Sequence, residues 1–156
     1  MKNKDIKILL VDDEPDILEI ISYNLSAEGY EVFTAKNGVE GVAKAKKKSP
    51  HLIIMDVMMP EMDGIEACEK MRKIPELDNS IITFFTARGE DFSMIAGFDA
   101  GADDYITKPF EMRELAARIK AVARRIDHNE ENKADSQPKS DVIKLEKWTL
   151  DRGQYQ

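Results

Sequence analysis

Residues 52–64 read LIIMDVMMPEMDG. Leu52, Ile53, Ile54 and Met55 leave no polar face, so the stretch predicts a strand covered by apolar side chains on both sides. It ends on an acid, Asp56, and an irregular loop separates that acid from a helical pattern over 65–72. The same order recurs upstream. Residues 6–11 (IKILLV) form a second aliphatic strand running into Asp12, Asp13 and Glu14, and Pro15 then suits a first helical turn. Ile17, Leu18, Ile21 and Leu25 follow at helical spacing, with Gly29 suited to the position after the helix. Residues 31–35 (EVFTA) read as a strand and Asn37-Gly38 as a turn. The helix over 39–48 ends in KAKKK, matching the negative end of its dipole, and Pro50 closes it.

Downstream, residues 81–85 (IITFF) make a strand ending at Thr86, and 90–100 look helical with Gly101 behind them. Residues 104–107 (DYIT) are a short fifth strand. Lys108-Pro109-Phe110 then leads into a last helix, where Met112, Leu115, Ile119, Val122 and Ile126 form one stripe. Strand and helix alternate five times. That pattern predicts an α/β fold with a doubly wound, five-stranded parallel sheet of order 2-1-3-4-5, flavodoxin-like.

The 156 residues amount to about one domain. Apolar residues are frequent enough for a real core, and no apolar run approaches a membrane span, so no membrane partner is expected. The N-terminal apolar stretch runs straight into acids, unlike a secretory signal. The single cysteine, Cys68, excludes a disulfide framework and points to the cytoplasm; it reads as a packed core residue. Thirty acids against 23 bases give −7, a poor balance for wrapping nucleic acid. Residues 127–141 (DHNEENKADSQPKSD) carry Ala134 as their sole apolar side chain and predict a flexible linker. Residues 142–156 (VIKLEKWTLDRGQYQ) alternate like strands of a second domain, too short to fold alone. The expected partition is therefore 1–126, 127–141 and 142–156.

In the expected sheet the first and third strands are neighbours at the topological switch point, where ligand sites form. Asp12, Asp13 and Asp56 would converge there and repel one another unless protons or a cation neutralise them. Oxygen donors without nearby His or Cys suit a hard ion, above all Mg²⁺. Any one strand-end acid, taken alone, reads as an ordinary solvated loop residue; three at adjacent strand ends do not. Thr86 and Lys108 stand at the ends of the fourth and fifth strands, and the Lys108-Pro109 bond can adopt cis more readily than others. Together the set matches phosphoryl transfer: a carboxylate nucleophile, a metal, a lysine and a hydroxyl. Thr86 satisfied by backbone and Lys108 as a surface amine are the plain alternatives. His51 and His128 lack the company for catalysis, and the Met55, Met58, Met59, Met62 cluster reads as packing.

The stretches LLVDDEP, LIIMDVMMPEMDG, FTAR and GADDYITKPF together resemble the receiver domain of two-component response regulators, over about residues 6–126. The ending ELAARIKAVARR and the strand-like stub resemble the OmpR/PhoB subfamily of DNA-binding transcription regulators. The resemblance implies that Asp56 accepts a phosphoryl group from a sensor histidine kinase. Asp13 would hold Mg²⁺ directly, Asp12 directly or through water, with the backbone carbonyl of Met58 also coordinating. Lys108 would contact the phosphoryl group, Thr86 would move towards it, and Tyr105 would be the aromatic switch residue that follows. Phosphorylation would alter the face of the fourth helix, fifth strand and fifth helix and create a homodimer. Asp99, Asp103, Asp104 and Glu114 would supply its acids, and Arg118, Lys120 and Arg125 its bases. Met94 stands where the family commonly has Arg or Lys, so at least one ion pair between subunits is in doubt. DNA would be bound only through a winged-helix domain lying mostly outside the chain. Met58 has no polar group to orient an attacking water, so a fairly stable acyl phosphate is expected, in a signalling phosphoacceptor with only slow autodephosphorylation.

Other functions fit less well. A Mg²⁺-dependent phosphohydrolase with an Asp nucleophile wants a second carboxylate where Met58 stands. A flavin or nucleotide binder wants a Gly-rich loop where VDDEP stands. A stand-alone receiver would need neither linker nor stub.

Overall fold

The computed structural model describes residues 3–87, 94–108 and 111–134, with side chains for 3–86, 96–107 and 111–126. Its order is β1 (Lys7–Val11), α1 (Pro15–Ala27), β2 (Glu31–Ala35), α2 (Gly38–Lys48), β3 (Leu52–Asp56), α3 (Gly64–Arg72), β4 (Ile81–Ala87), α4 (Met94–Asp99), β5 (Asp104–Lys108) and α5 (Met112–Ala134). All neighbouring strands pair in parallel, in the order β2-β1-β3-β4-β5. The expected sheet is the observed one.

Both faces of the sheet are apolar because successive side chains on a strand point opposite ways. Leu9, Val11, Ile53 and Met55 pack with Ala45 of α2 and Ala67, Cys68 and Met71 of α3. Ile8, Leu10, Leu52 and Ile54 pack with Ile21 and Leu25 of α1 and Leu115 and Ile119 of α5. Each such aliphatic side chain, fully buried, contributes about 1.5–3 kcal/mol before conformational entropy is counted.

Local chemistry sets the helix starts. Asn37, expected in a turn, is the N-cap of α2: its side chain accepts from the Glu40 amide (2.8 Å) while Glu40 Oε1 accepts from the Lys36 amide (2.7 Å). Asp63 caps α3 in the same way, accepting from the Glu66 amide (2.9 Å). Gly29 (φ 102°) ends the α1 segment in the left-handed region, as its position predicts.

One boundary differs. Helix α5 continues to Ala134, so residues 127–134, expected in the linker, are helical. Glu130, Glu131, Lys133 and Ala134 are strong helix formers, and no proline intervenes before Pro138. Low apolar content removes a reason to pack, which is a different matter from a reason to unwind. The chain divides into two compact units, Met1–Ala123 and Arg124–Gln156, so Arg125 and Ile126 fall in the second. Of the earlier expectations, the helix start at 90–93, Arg88, Pro109, Phe110, the side chains of Lys108, Met94 and His128, the linker from 135 and the stub 142–156 lie outside the described residues.

Candidate functional site

The β1–β3 register pairs Val11 with Met55, so Asp12 and Asp56 emerge at the same level of adjacent strands. The Asp12 amide donates to the Ala35 carbonyl (3.1 Å), continuing the β1–β2 ladder one residue past the strand. Asp12 Oδ1 in turn accepts from the Glu14 amide (2.9 Å), a local turn that fixes its carboxylate as the chain enters α1. Asp56 closes β3, opposite Phe85 of β4. Both carboxylates are buried, at 2% and 4% exposure, while Asp13 is exposed. One ligand oxygen from each of Asp12, Asp13 and Asp56 lies within 4.8 Å of the others.

Such closeness is costly when the groups are ionised. Two carboxylates at this range repel by on the order of 3 kcal/mol at an effective dielectric near 20. The cluster is an all-oxygen donor set at a switch point, with one exposed member facing the solvent from which a cation arrives. These residues fit Mg²⁺, which takes one or two carboxylates and keeps several waters.

The loop after Asp56 is shaped around it. The Met58 amide approaches Asp56 Oδ1 at 3.4 Å, and the Gly64 amide donates to the Val57 carbonyl (2.8 Å). A Cβ on residue 64 would stand 2.3 Å from the Asp56 carbonyl oxygen, so only glycine closes this turn. Glu61, in the same loop, takes a φ of 71°, an unusual conformation for a side-chain-bearing residue.

Thr86 follows the Asp56–Phe85 pair by one residue on β4; it is buried and engaged within the chain. The backbone of Lys108 is paired with Ala87, which brings the ends of β4 and β5 to the same edge of the sheet as the acids. Tyr105 is half-buried on β5, its ring 6.5 Å from that of Phe98 of α4 in an edge-to-face arrangement of 71°.

The charged residues near α4, β5 and α5 divide into two sets. Arg118 binds Asp104 (2.9 Å) and Glu114 (3.6 Å) on the surface, and Asp99 and Lys120 are exposed. Asp103 is committed elsewhere: its Oδ2 accepts from Arg72 (2.9 Å) and from the Ile82 amide (2.9 Å). Arg72 also donates to the Gly101 and Leu77 carbonyls, both at 2.9 Å. Sequence reasoning missed Arg72, whose partners come from distant segments, and saw Gly64 only as a loop end. Cys68 is the packed residue expected. Its thiol donates to the Ala100 carbonyl (3.4 Å) and burial pushes its pKa up to about 12, against a smaller opposing pull from Arg72.

Residues 8–120 match the response regulator receiver domain family. The chain is 47% identical over 119 residues to the alkaline phosphatase synthesis transcriptional regulatory protein PhoP of Bacillus subtilis, covering 76% of this chain and 49% of that protein. It is 44% identical over 119 residues to the phosphate regulon transcriptional regulatory protein PhoB of Rhizobium meliloti, covering 76% and 52%. A solved structure, the receiver domain of the sensor histidine kinase PA1611 of Pseudomonas aeruginosa with a magnesium ion coordinated in its active site cleft, superposes with a TM-score of 0.68. The two are 29% identical, over 76% of this chain and 95% of that one. The chain spans about half the length of the curated relatives it matches.

Proposed function

The chain belongs to the response regulator receiver family, of the OmpR/PhoB type, and from that premise we propose that it is a phosphorylation-driven switch with Asp56 as its phosphoacceptor. One observation carries the reading: three carboxylates meet within 4.8 Å at the switch point, with Asp56 buried at the end of its strand.

A carboxylate oxygen of Asp56 attacks the phosphorus of a phosphohistidine on a sensor histidine kinase. The O–P bond forms as the P–N bond breaks, and the electron pair leaves with the imidazole. Asp13 and Asp12 would hold Mg²⁺, together with Asp56 and the backbone carbonyl of Met58. When bound, Mg²⁺ would supply positive charge against the acids and the incoming phosphoryl oxygens. The Lys108 amine neutralises a further phosphoryl oxygen and the Thr86 hydroxyl donates to another. The new group brings roughly −1.5 to −2 charges and three strong acceptors. Thr86 turns towards them, and Tyr105 fills the space left behind.

The consequence is a changed α4–β5–α5 surface and a homodimer. Asp99, Asp103, Asp104, Glu114, Arg118, Lys120 and Arg125 are its charged residues, Asp103 being held also by Arg72 of its own chain. Transcription control acts through a DNA-binding domain, in the cytoplasm. Among the described residues no helix is long and apolar enough to cross a membrane.

Loading from a small acyl-phosphate donor tests the metal site. Phosphoryl uptake requiring Mg²⁺, lost on chelation and strongly reduced in Asp13→Asn, supports the reading. Uptake indifferent to the metal and to that substitution refutes it.

A further inference from the structure

Met58 follows Asp56 by two residues in the loop between β3 and α3, yet its side chain has no part in the phosphoryl chemistry above. Its amide is held near Asp56 Oδ1 (3.4 Å), which fixes the residue beside the acceptor. The residue is 48% exposed. The other methionine side chains described are better covered: Met55 and Met71 are fully buried, and Met59, Met62 and Met112 are partly buried. Thioether oxidation follows access to the sulfur, so among the methionines whose side chains are described Met58 is the one that a peroxide in solution meets first.

We propose that Met58 is an oxidation site, and that its conversion to the sulfoxide by hydrogen peroxide shortens the life of the phosphoryl group on Asp56. The inference rests on the reading of Asp56 as phosphoacceptor. In the step, a sulfur lone pair attacks one peroxide oxygen. The S–O bond forms, the O–O bond breaks, and the departing hydroxide takes the remaining proton to leave as water. Sulfur loses two electrons and the peroxide gains them. The product is returned to the thioether by thiol-dependent sulfoxide reductases.

The consequence follows from the change in polarity. A thioether is a weak acceptor that cannot hold a water in place. A sulfoxide oxygen is a strong acceptor on a chain with three rotatable bonds, so it reaches over the acceptor and orients a water for attack at phosphorus. Oxidation thereby does chemically what a polar side chain at this position would do.

Two measurements test this. Peptide mapping after brief hydrogen peroxide treatment should find Met58 oxidised ahead of Met59, Met62 and Met112, with Met55 and Met71 intact. The treated protein, loaded with acetyl phosphate and Mg²⁺ and then freed of donor, should lose its phosphoryl group several-fold faster than untreated protein. Reductase treatment should restore the slow decay, and Met58→Leu should decay at the same rate with or without peroxide. Oxidation of Met58 no faster than that of Met59 and Met62 overturns the proposal, as does unchanged decay or equal acceleration in Met58→Leu. If untreated protein accepts no phosphoryl group, the reading of Asp56 falls and takes the effect on lifetime with it. The order of oxidation, read without a phosphoryl donor, separates that failure from a wrong choice of methionine.

Discussion

A Cβ at position 64 would lie 2.3 Å from the Asp56 carbonyl oxygen and 3.0 Å from the Val57 Cα, and neither backbone atom can yield without moving the acceptor. Gly64→Ala should therefore cost about 1–3 kcal/mol, read by urea unfolding, and should slow phosphoryl uptake by displacing Asp56. Cys68 offers a pH test. Its folded pKa is raised, to about 12, because burial disfavours the thiolate. Stability from this group is fully present below the ordinary thiol pKa near 8.5 and is lost as pH rises towards about 12. Native protein at pH 8 should resist iodoacetamide, whereas urea-unfolded protein should react at once. For the acyl phosphate, Met58→Asn should shorten the lifetime; unchanged or slower decay would remove the argument from side-chain polarity. The acids were readable in the sequence because each ends an aliphatic strand, and strand ends are where a doubly wound sheet puts its ligands. Gly64 was not readable as essential, because its constraint is a tertiary approach to Asp56.

Among the elements, Arg72 binds α3 to segments far along the chain. Its guanidinium takes the Leu77 carbonyl, the Gly101 carbonyl and the Asp103 carboxylate, and Asp103 also accepts from the Ile82 amide at the start of β4. Arg72→Ala should cost about 2 kcal/mol, measured as a fall in denaturant midpoint, since it leaves half-covered acceptors without their charged donor. Lysine should recover only part of that loss, because an ammonium cannot match a guanidinium fork. Nothing in the spacing of residues 72, 77, 101 and 103 announces this network, which exists only once the sheet register is set. The α5 boundary shows the complementary blind spot. Composition measures the capacity to bury, and residues 127–134 keep helical backbone without it.

At the scale of the whole molecule, the strand order explains why remote segments end at one edge of the sheet. Order β2-β1-β3-β4-β5 sets Asp12 and Asp13 beside Asp56, then Thr86, then Lys108, along one edge. This much was legible from five alternations of strand and helix, because right-handed crossovers leave few other arrangements. The negative charge of the chain gains a local meaning from its acid cluster. Assembly is the property least legible in one sequence, since the same Arg118 that would bridge two subunits already binds Asp104 and Glu114 of its own chain. Exposed pairs contribute little singly, about 1 kcal/mol at most. Arg118→Ala should accordingly weaken the phosphorylated dimer only several-fold in sedimentation analysis, and leave phosphoryl uptake intact. The central claim is met most directly by incubating the full chain with acetyl phosphate and Mg²⁺ and mapping the modified residue. One base-labile phosphoryl group is expected, on Asp56, absent without Mg²⁺ and absent in Asp56→Asn. A phosphoryl group on another residue, or none under these conditions, would contradict it.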